Sequence, residues 1–130
     1  MRAMSEPLLR DFDPARHPGL RLLILHGSRA RGDARPDSDW DFGFVAGEGF
    51  DVDALLTDLT RRLRADRIDL VDLARAGGLI RYRAARDAKT VFARDDRVFP
   101  DFWFEAVRFW CEAGPVLDRA YEDRLARLGP

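Results

Sequence analysis

With 130 residues, 46% of them apolar and 35% charged, the chain is long enough to bury one core and is expected to form a single domain over 1–130. Its formal net charge of −1 excludes the broad basic field that direct nucleic-acid or anionic-membrane binding would call for, and no apolar run nears the ~20 residues that span a bilayer. Cys111 stands alone, which excludes an intrachain disulfide and a cysteine-based zinc site.

The start, MRAMSEPLLR, has no apolar h-region, so no secretory signal is expected and the cytoplasm is the expected compartment. Leu20 to Leu25, LRLLIL, is a short apolar run ending at Gly27 and reads as a buried strand. A loop rich in glycine and aspartate follows, in which Pro36 forbids a regular helix. Trp40 to Val45 alternates as a second strand should, and a turn follows at Gly47 to Gly49. Val52, Leu55, Leu56, Leu59 and Leu63 form one helical stripe, with Asp51 as N-cap. Ile68 to Leu73, IDLVDL, is a third strand. Leu79 to Ala88 reads as a helix, and KTVFAR from Lys89 as a short fourth strand.

From Phe99 to Leu128 the pattern is helical. Its stripe runs Trp103, Val107, Trp110, Gly114, Leu117, Tyr121, Leu125, Leu128, and Gly114-Pro115 is expected to kink or split it. Phe102, Phe104 and Phe109 do not fit on the side of Trp103 and Trp110. Either two elements clasp the tail, or its second face meets a partner or a second copy of the chain. The element order implies an α/β (α+β) fold, a small mixed sheet with helices packed on it and a helical C-terminal tail. The core spans about 20–95 and the tail about 99–128.

His26 to Phe42, HGSRARGDARPDSDWDF, concentrates two glycines, two serines, three arginines and four aspartates in seventeen residues. Asp39 and Asp41 are two apart on the predicted strand, so both carboxylates leave the same face while Trp40 and Phe42 point to the core. Two carboxylates side by side repel unless a cation lies between them, and Mg²⁺ takes oxygen ligands of this kind together with substrate phosphates. Taken alone, the pair is equally compatible with an edge strand whose polar face meets water. Gly27-Ser28 adds a point where backbone can approach a phosphate closely, at the start of the same loop. A third carboxylate inside IDLVDL is costly unless paired or metal-bound. Asp69 and Asp72 lie on opposite faces, and Asp69 is favoured because it is embedded more deeply in the apolar run.

The segment GSRARGDARPDSDWDF resembles the signature of the minimal nucleotidyltransferases (MNT domains) of the DNA polymerase beta superfamily. That signature is Gly-Ser, ten residues, then Asp-x-Asp. Gly27, Ser28, Ala30, Arg31, Gly32, Ser38, Asp39 and Asp41 match it. Asp69 fits the third catalytic aspartate of that superfamily. More loosely, IDLVDL and GGLIRYRAARDAKTVFARD resemble the MNT antitoxins encoded beside HEPN-domain ribonuclease toxins. The resemblance implies a polymerase-beta-like fold and a Mg²⁺-dependent adenylyltransferase. Two Mg²⁺ ions would be held by Asp39, Asp41 and Asp69, and the nucleotide by Gly27, Ser28, Arg31 and Ser38. ATP is the implied substrate, and the acceptor would be a tyrosine of a partner HEPN toxin, neutralised by the transfer. Transfer to a small molecule and purely steric neutralisation are the alternatives.

Five further residues receive no site role at this level. Arg29 and Arg35 read as solvated surface arginines and His26 as a strand-end packing residue. His17, before Pro18, reads as part of a loop. Cys111 reads as core.

Overall fold

The apolar run at the head of the chain is continuous because it is buried on both sides. In β1 (Leu20–His26), Leu23 and Leu25 enter one core cluster while Leu22 and Ile24 enter another on the opposite face. The computed structural model describes residues 9–127, without the side chains of 114–118, 121 and 125. The chain continues as α1 (Ser28–Arg31), β2 (Trp40–Ala46), α2 (Val52–Leu63), β3 (Ile68–Asp72), α3 (Gly78–Asp87), β4 (Lys89–Ala93) and α4 (Val98–Arg127). Each predicted strand and helix is present to within one or two residues.

The four strands form one sheet in the order β3-β2-β1-β4. β1 runs antiparallel to both neighbours, and β2 pairs with β3 in parallel. The parallel pair needs a crossover, and α2 supplies it. Asp51 caps α2, its side chain accepting from the Ala54 backbone N–H at 3.0 Å. Leu55, Leu59 and Leu63 bury against Phe42, Phe44 and Trp40. Val52 and Leu56, expected in the same stripe, remain exposed at its edge.

The other face is covered by α3 and α4. Ala84 and Ala85 of α3 and Val98, Phe102 and Ala106 of α4 pack on Leu22, Ile24 and Leu73. The buried stripe of α4 therefore starts one residue away from the expected one: Phe102 is 6% exposed, whereas Trp103 is 44% exposed. Small Ala84, Ala85 and Ala106 let the two helices and the sheet approach, and that favours the 98–102–106 spacing over the larger Trp103. Trp110 still packs, stacked on Tyr82 at 5.0 Å. Cys111, expected in the core, is exposed. α4 remains helical through Gly114-Pro115, so the expected split does not occur; the turns on either side keep the segment helical despite the donor Pro115 lacks. The Gly114, Leu117, Tyr121, Leu125 and Leu128 part of the stripe lies outside the described side chains.

His17 is not a free loop residue. It is 5% exposed, its Nε2 lies 2.6 Å from Asp58 Oδ2, and its ring stacks on Phe12 with 5.3 Å between centroids. Asp58 also accepts from Arg62 Nε at 2.9 Å. The segment before β1 is thereby fastened to α2.

Candidate active site

The site is built where β1 ends. Gly27 has φ +73° and ψ −159°, a region open to glycine and strained for any other residue. A Cβ at this position would overlap the Asp41 carboxylate, with Asp41 Cγ at 3.1 Å and Cβ at 3.2 Å. Glycine is thus required twice, by the turn and by the approach of Asp41. Ser28 opens α1, whose four residues end at Gly32 in the left-handed region, φ +86°.

Arg29 fastens the loop that returns to β2. Its Nη2 donates to the carbonyls of Ser38 at 2.9 Å and Pro36 at 3.2 Å, and its guanidinium lies 4.3 Å from the centroid of the Trp40 ring. A solvated role is thereby excluded for Arg29. Arg35 is exposed as expected, and its backbone N–H donates to Ser38 Oγ at 2.8 Å. Ser38 therefore braces the same loop. Trp40 N–H donates to the Arg67 carbonyl at 2.9 Å, which continues the parallel pairing toward Asp39, one residue before β2.

Register brings the carboxylates together. Asp41 pairs with His26 on β1 and with Asp69 on β3, and laterally paired residues share a face. Asp72 pairs with Phe44 and so faces the other way. Its Oδ1 accepts from the Ala74 N–H at 3.0 Å, a turn-closing role. Of the two candidates, Asp69 is the one beside Asp41. Asp39 and Asp69 are exposed and line a cleft of about 340 Å³ with Asp66, Arg67 and Ile68. A larger cleft of about 580 Å³, lined by residues including Arg21, Val45 and Asp95, lies at the opposite end of the sheet, away from these carboxylates.

Electrostatics marks the same place. Burial raises the Asp41 carboxyl above the ordinary carboxylate range; His26 opposes this, and the charges of Asp69 and Asp39 add to it. Burial likewise holds the His26 imidazole below its ordinary value, although Asp41, the Phe42 backbone, Asp87 and Asp69 all favour its charged form. His26 Nε2 is buried without a hydrogen-bond partner. The packing role expected for His26 therefore includes proximity to the carboxylates.

The donors here are hard oxygens crowded by like charge, which suits a divalent cation such as Mg²⁺. As their side chains stand, no three His, Cys, Asp or Glu among the described residues converge closely enough to hold one ion. To share one ion, the three carboxylates would have to move inward. Arg31, expected at the phosphates, is on the rim of α1. Its Nη1 donates to Asp87 Oδ2 at 3.0 Å and its Nε to Asp33 Oδ2 at 3.3 Å. Asp87 and its neighbour Arg86 were not singled out from the sequence; RAARDAK carries no local signal beyond a helix end.

Comparison with known proteins agrees with this geometry. The "Polymerase beta, Nucleotidyltransferase" family matches residues 15–97. The protein adenylyltransferase MntA of Aphanizomenon flos-aquae (strain 2012/KM1/D3) is 31% identical over 98 residues, covering 65% of this chain and 65% of that protein. The chain thus spans just under two thirds of the length of that relative. Among solved structures, a toxin–antitoxin complex with AMP-PNP superposes with a TM-score of 0.64 at 25% identity, over 88% of this chain and 93% of that one. The MNT antitoxin in complex with the tri-AMPylated Shewanella oneidensis HEPN toxin gives a TM-score of 0.59 at 21% identity, over 84% and 89%, and speaks to the fold. The chain belongs to the polymerase beta nucleotidyltransferase family.

Proposed function

We propose that this family member is an antitoxin that transfers AMP from ATP to a tyrosine of a partner HEPN toxin and so neutralises it, acting as a single nucleotidyltransferase domain in the cytoplasm. The observation that carries the reading is the lateral pairing of Asp41 with Asp69 beside the Gly27-Ser28 turn. The curated relative supports the adenylyl group and a protein acceptor. The toxin–antitoxin complex with AMP-PNP supports the nucleotide and a toxin as partner. Among the described residues, no helix is long and apolar enough to cross a membrane.

In this reading the phosphate chain lies along the Gly27-Ser28 turn, where the missing Cβ allows close approach and the Ser28 hydroxyl can donate. Asp39, Asp41 and Asp69 would hold two Mg²⁺ ions. When bound, they would neutralise charge on the attacking and leaving oxygens. Asp69, at the open edge of the site, accepts the proton of the acceptor hydroxyl. That oxygen forms a bond to the α-phosphorus as the α–β bridging bond breaks, and pyrophosphate leaves. Arg31 balances charge from the rim, and Ser38 holds the loop that carries Asp39.

The test is purified chain with Mg²⁺ and α-labelled ATP, with and without the partner toxin. Label is expected on the toxin, and none with the Asp39→Asn, Asp41→Asn double variant. A folded wild-type chain that labels no toxin overturns the proposal. A double variant that still neutralises the toxin would favour steric neutralisation. The exposed Trp103, Phe104 and Phe109 give that second reading a surface.

A further inference from the structure

The Gly27-Ser28 turn has two flanks, and only one carries the carboxylates. On the β2 side, His26 is level with Asp41. On the β4 side, Leu25 is level with Lys89. Two residues before Lys89, at the end of α3, Asp87 meets Arg31 of α1 across this flank.

Asp87 is an unusual residue to find there. It is the last residue of α3, where the negative end of the helix dipole disfavours a carboxylate. Its side chain is only 9% exposed, and loss of water adds to that cost. It is retained by two guanidiniums. Arg86 donates to it through Nε at 3.0 Å and Nη2 at 3.2 Å, and Arg31 through Nη1 at 3.0 Å. Without an anion between them the two arginines would repel. With it they stand together, 51% and 43% exposed, and each keeps further N–H groups on its fork. One of the pair, Arg31, lies on the same helix as Ser28. The arrangement is thus a pair of guanidiniums held beside the turn by Asp87, with Arg31 also paired to Asp33 at 3.3 Å.

We propose that Asp87 is a positioning residue that holds Arg31 and Arg86 as a paired clamp for the terminal phosphates of the nucleotide and for the pyrophosphate they become. The inference rests on the nucleotidyltransferase reading above and extends it to the second flank. Forked donors match phosphate oxygens in pairs. The charge division is also economical in space: the α-phosphate meets the carboxylate flank, where chemistry occurs, and the leaving group meets the arginine flank.

The experiment compares the affinity of the full chain for MgATP and for AMP by calorimetry, with melting temperature measured alongside. AMP lacks the phosphates that the clamp would take. Arg86→Gln is expected to weaken MgATP about tenfold, equal to about 1.4 kcal/mol, while AMP changes less than about twofold on the same scale. Arg86→Lys keeps the charge but loses the fork and should fall between. Asp87→Asn should weaken MgATP selectively, because the two guanidiniums separate. If Arg86→Gln and Arg86→Lys both keep the wild-type ratio of MgATP to AMP affinity, the clamp is overturned and the network is a brace of the fold, while the nucleotidyltransferase reading stands. A wild-type chain with no affinity for MgATP overturns that reading, and the clamp with it.

Discussion

Replacing Gly27 by alanine separates two demands that the structure places on one residue. The backbone there has φ +73° and ψ −159°, and a residue with a Cβ held in that region is strained by about 1–3 kcal/mol. For a domain of this length that corresponds to a fall in melting temperature of roughly 4–12 °C, taking about 4 °C per kcal/mol. The second demand is steric. The new Cβ would overlap the Asp41 carboxylate and press on Asp41 Cγ and Cβ, at 3.1 and 3.2 Å. Asp41 can relieve this by turning away, which costs little stability but moves it out of line with Asp69. Misplacing a reacting group by about 1 Å can cost about a hundredfold in rate, so transfer should fall by that order while the protein still folds. The assay is thermal melting together with label transfer. The Asp41→Ala background distinguishes the terms by a double-mutant cycle: there, Gly27→Ala should still lower the melting temperature through backbone strain. An unchanged melting temperature refutes the conformational argument. Wild-type transfer by Gly27→Ala refutes the contact with Asp41.

Asp69→Asn should lower turnover with little effect on MgATP affinity, because in the proposed reaction Asp69 takes the proton of the acceptor hydroxyl, whereas Asp72→Asn should be much milder in turnover; steady-state kinetics on both checks the order. The Asp39→Asn, Asp41→Asn variant should lose transfer without losing stability. The Asp41 carboxyl is raised in the folded state, so its ionisation disfavours folding: the favourable share is complete below the ordinary carboxylate range and lost as pH rises through the folded value. The variant's melting temperature should therefore gain on wild type between acid and neutral pH in metal-free buffer. A gain that shrinks with pH would contradict this. Phe102→Ala should cost about 3–5 kcal/mol, as for a buried aromatic. Phe104→Ala, at a residue 61% exposed, should leave melting nearly unchanged, and if this face docks a partner it should weaken that complex about thirtyfold.

Local pattern determined much of this protein. Hydrophobic period separates strands from helices, and the fixed spacing from Gly27-Ser28 to Asp39 and Asp41 marks the site, because turn chemistry and strand alternation act over neighbouring residues. The opposition of Asp69 and Asp72 also follows from alternation. Which of them meets Asp41 does not. That depends on β3 lying parallel to β2 in one register, a relation between segments joined through α2. The same limit explains the rest. Arg29 looks like a surface arginine until the loop folds back to offer it the carbonyls of Ser38 and Pro36. His17 looks idle until α2 brings Asp58 to it. The tail's aromatic residues permit more than one helical stripe, and the small residues of α3 chose Phe102 over Trp103. The second flank of the site was the least legible of all: Arg31 and Asp87 are far apart in the chain, and only the pairing of β4 with β1 makes them neighbours. Periodicity is a property of one segment, whereas register and face are properties of two, and tertiary structure alone decides them.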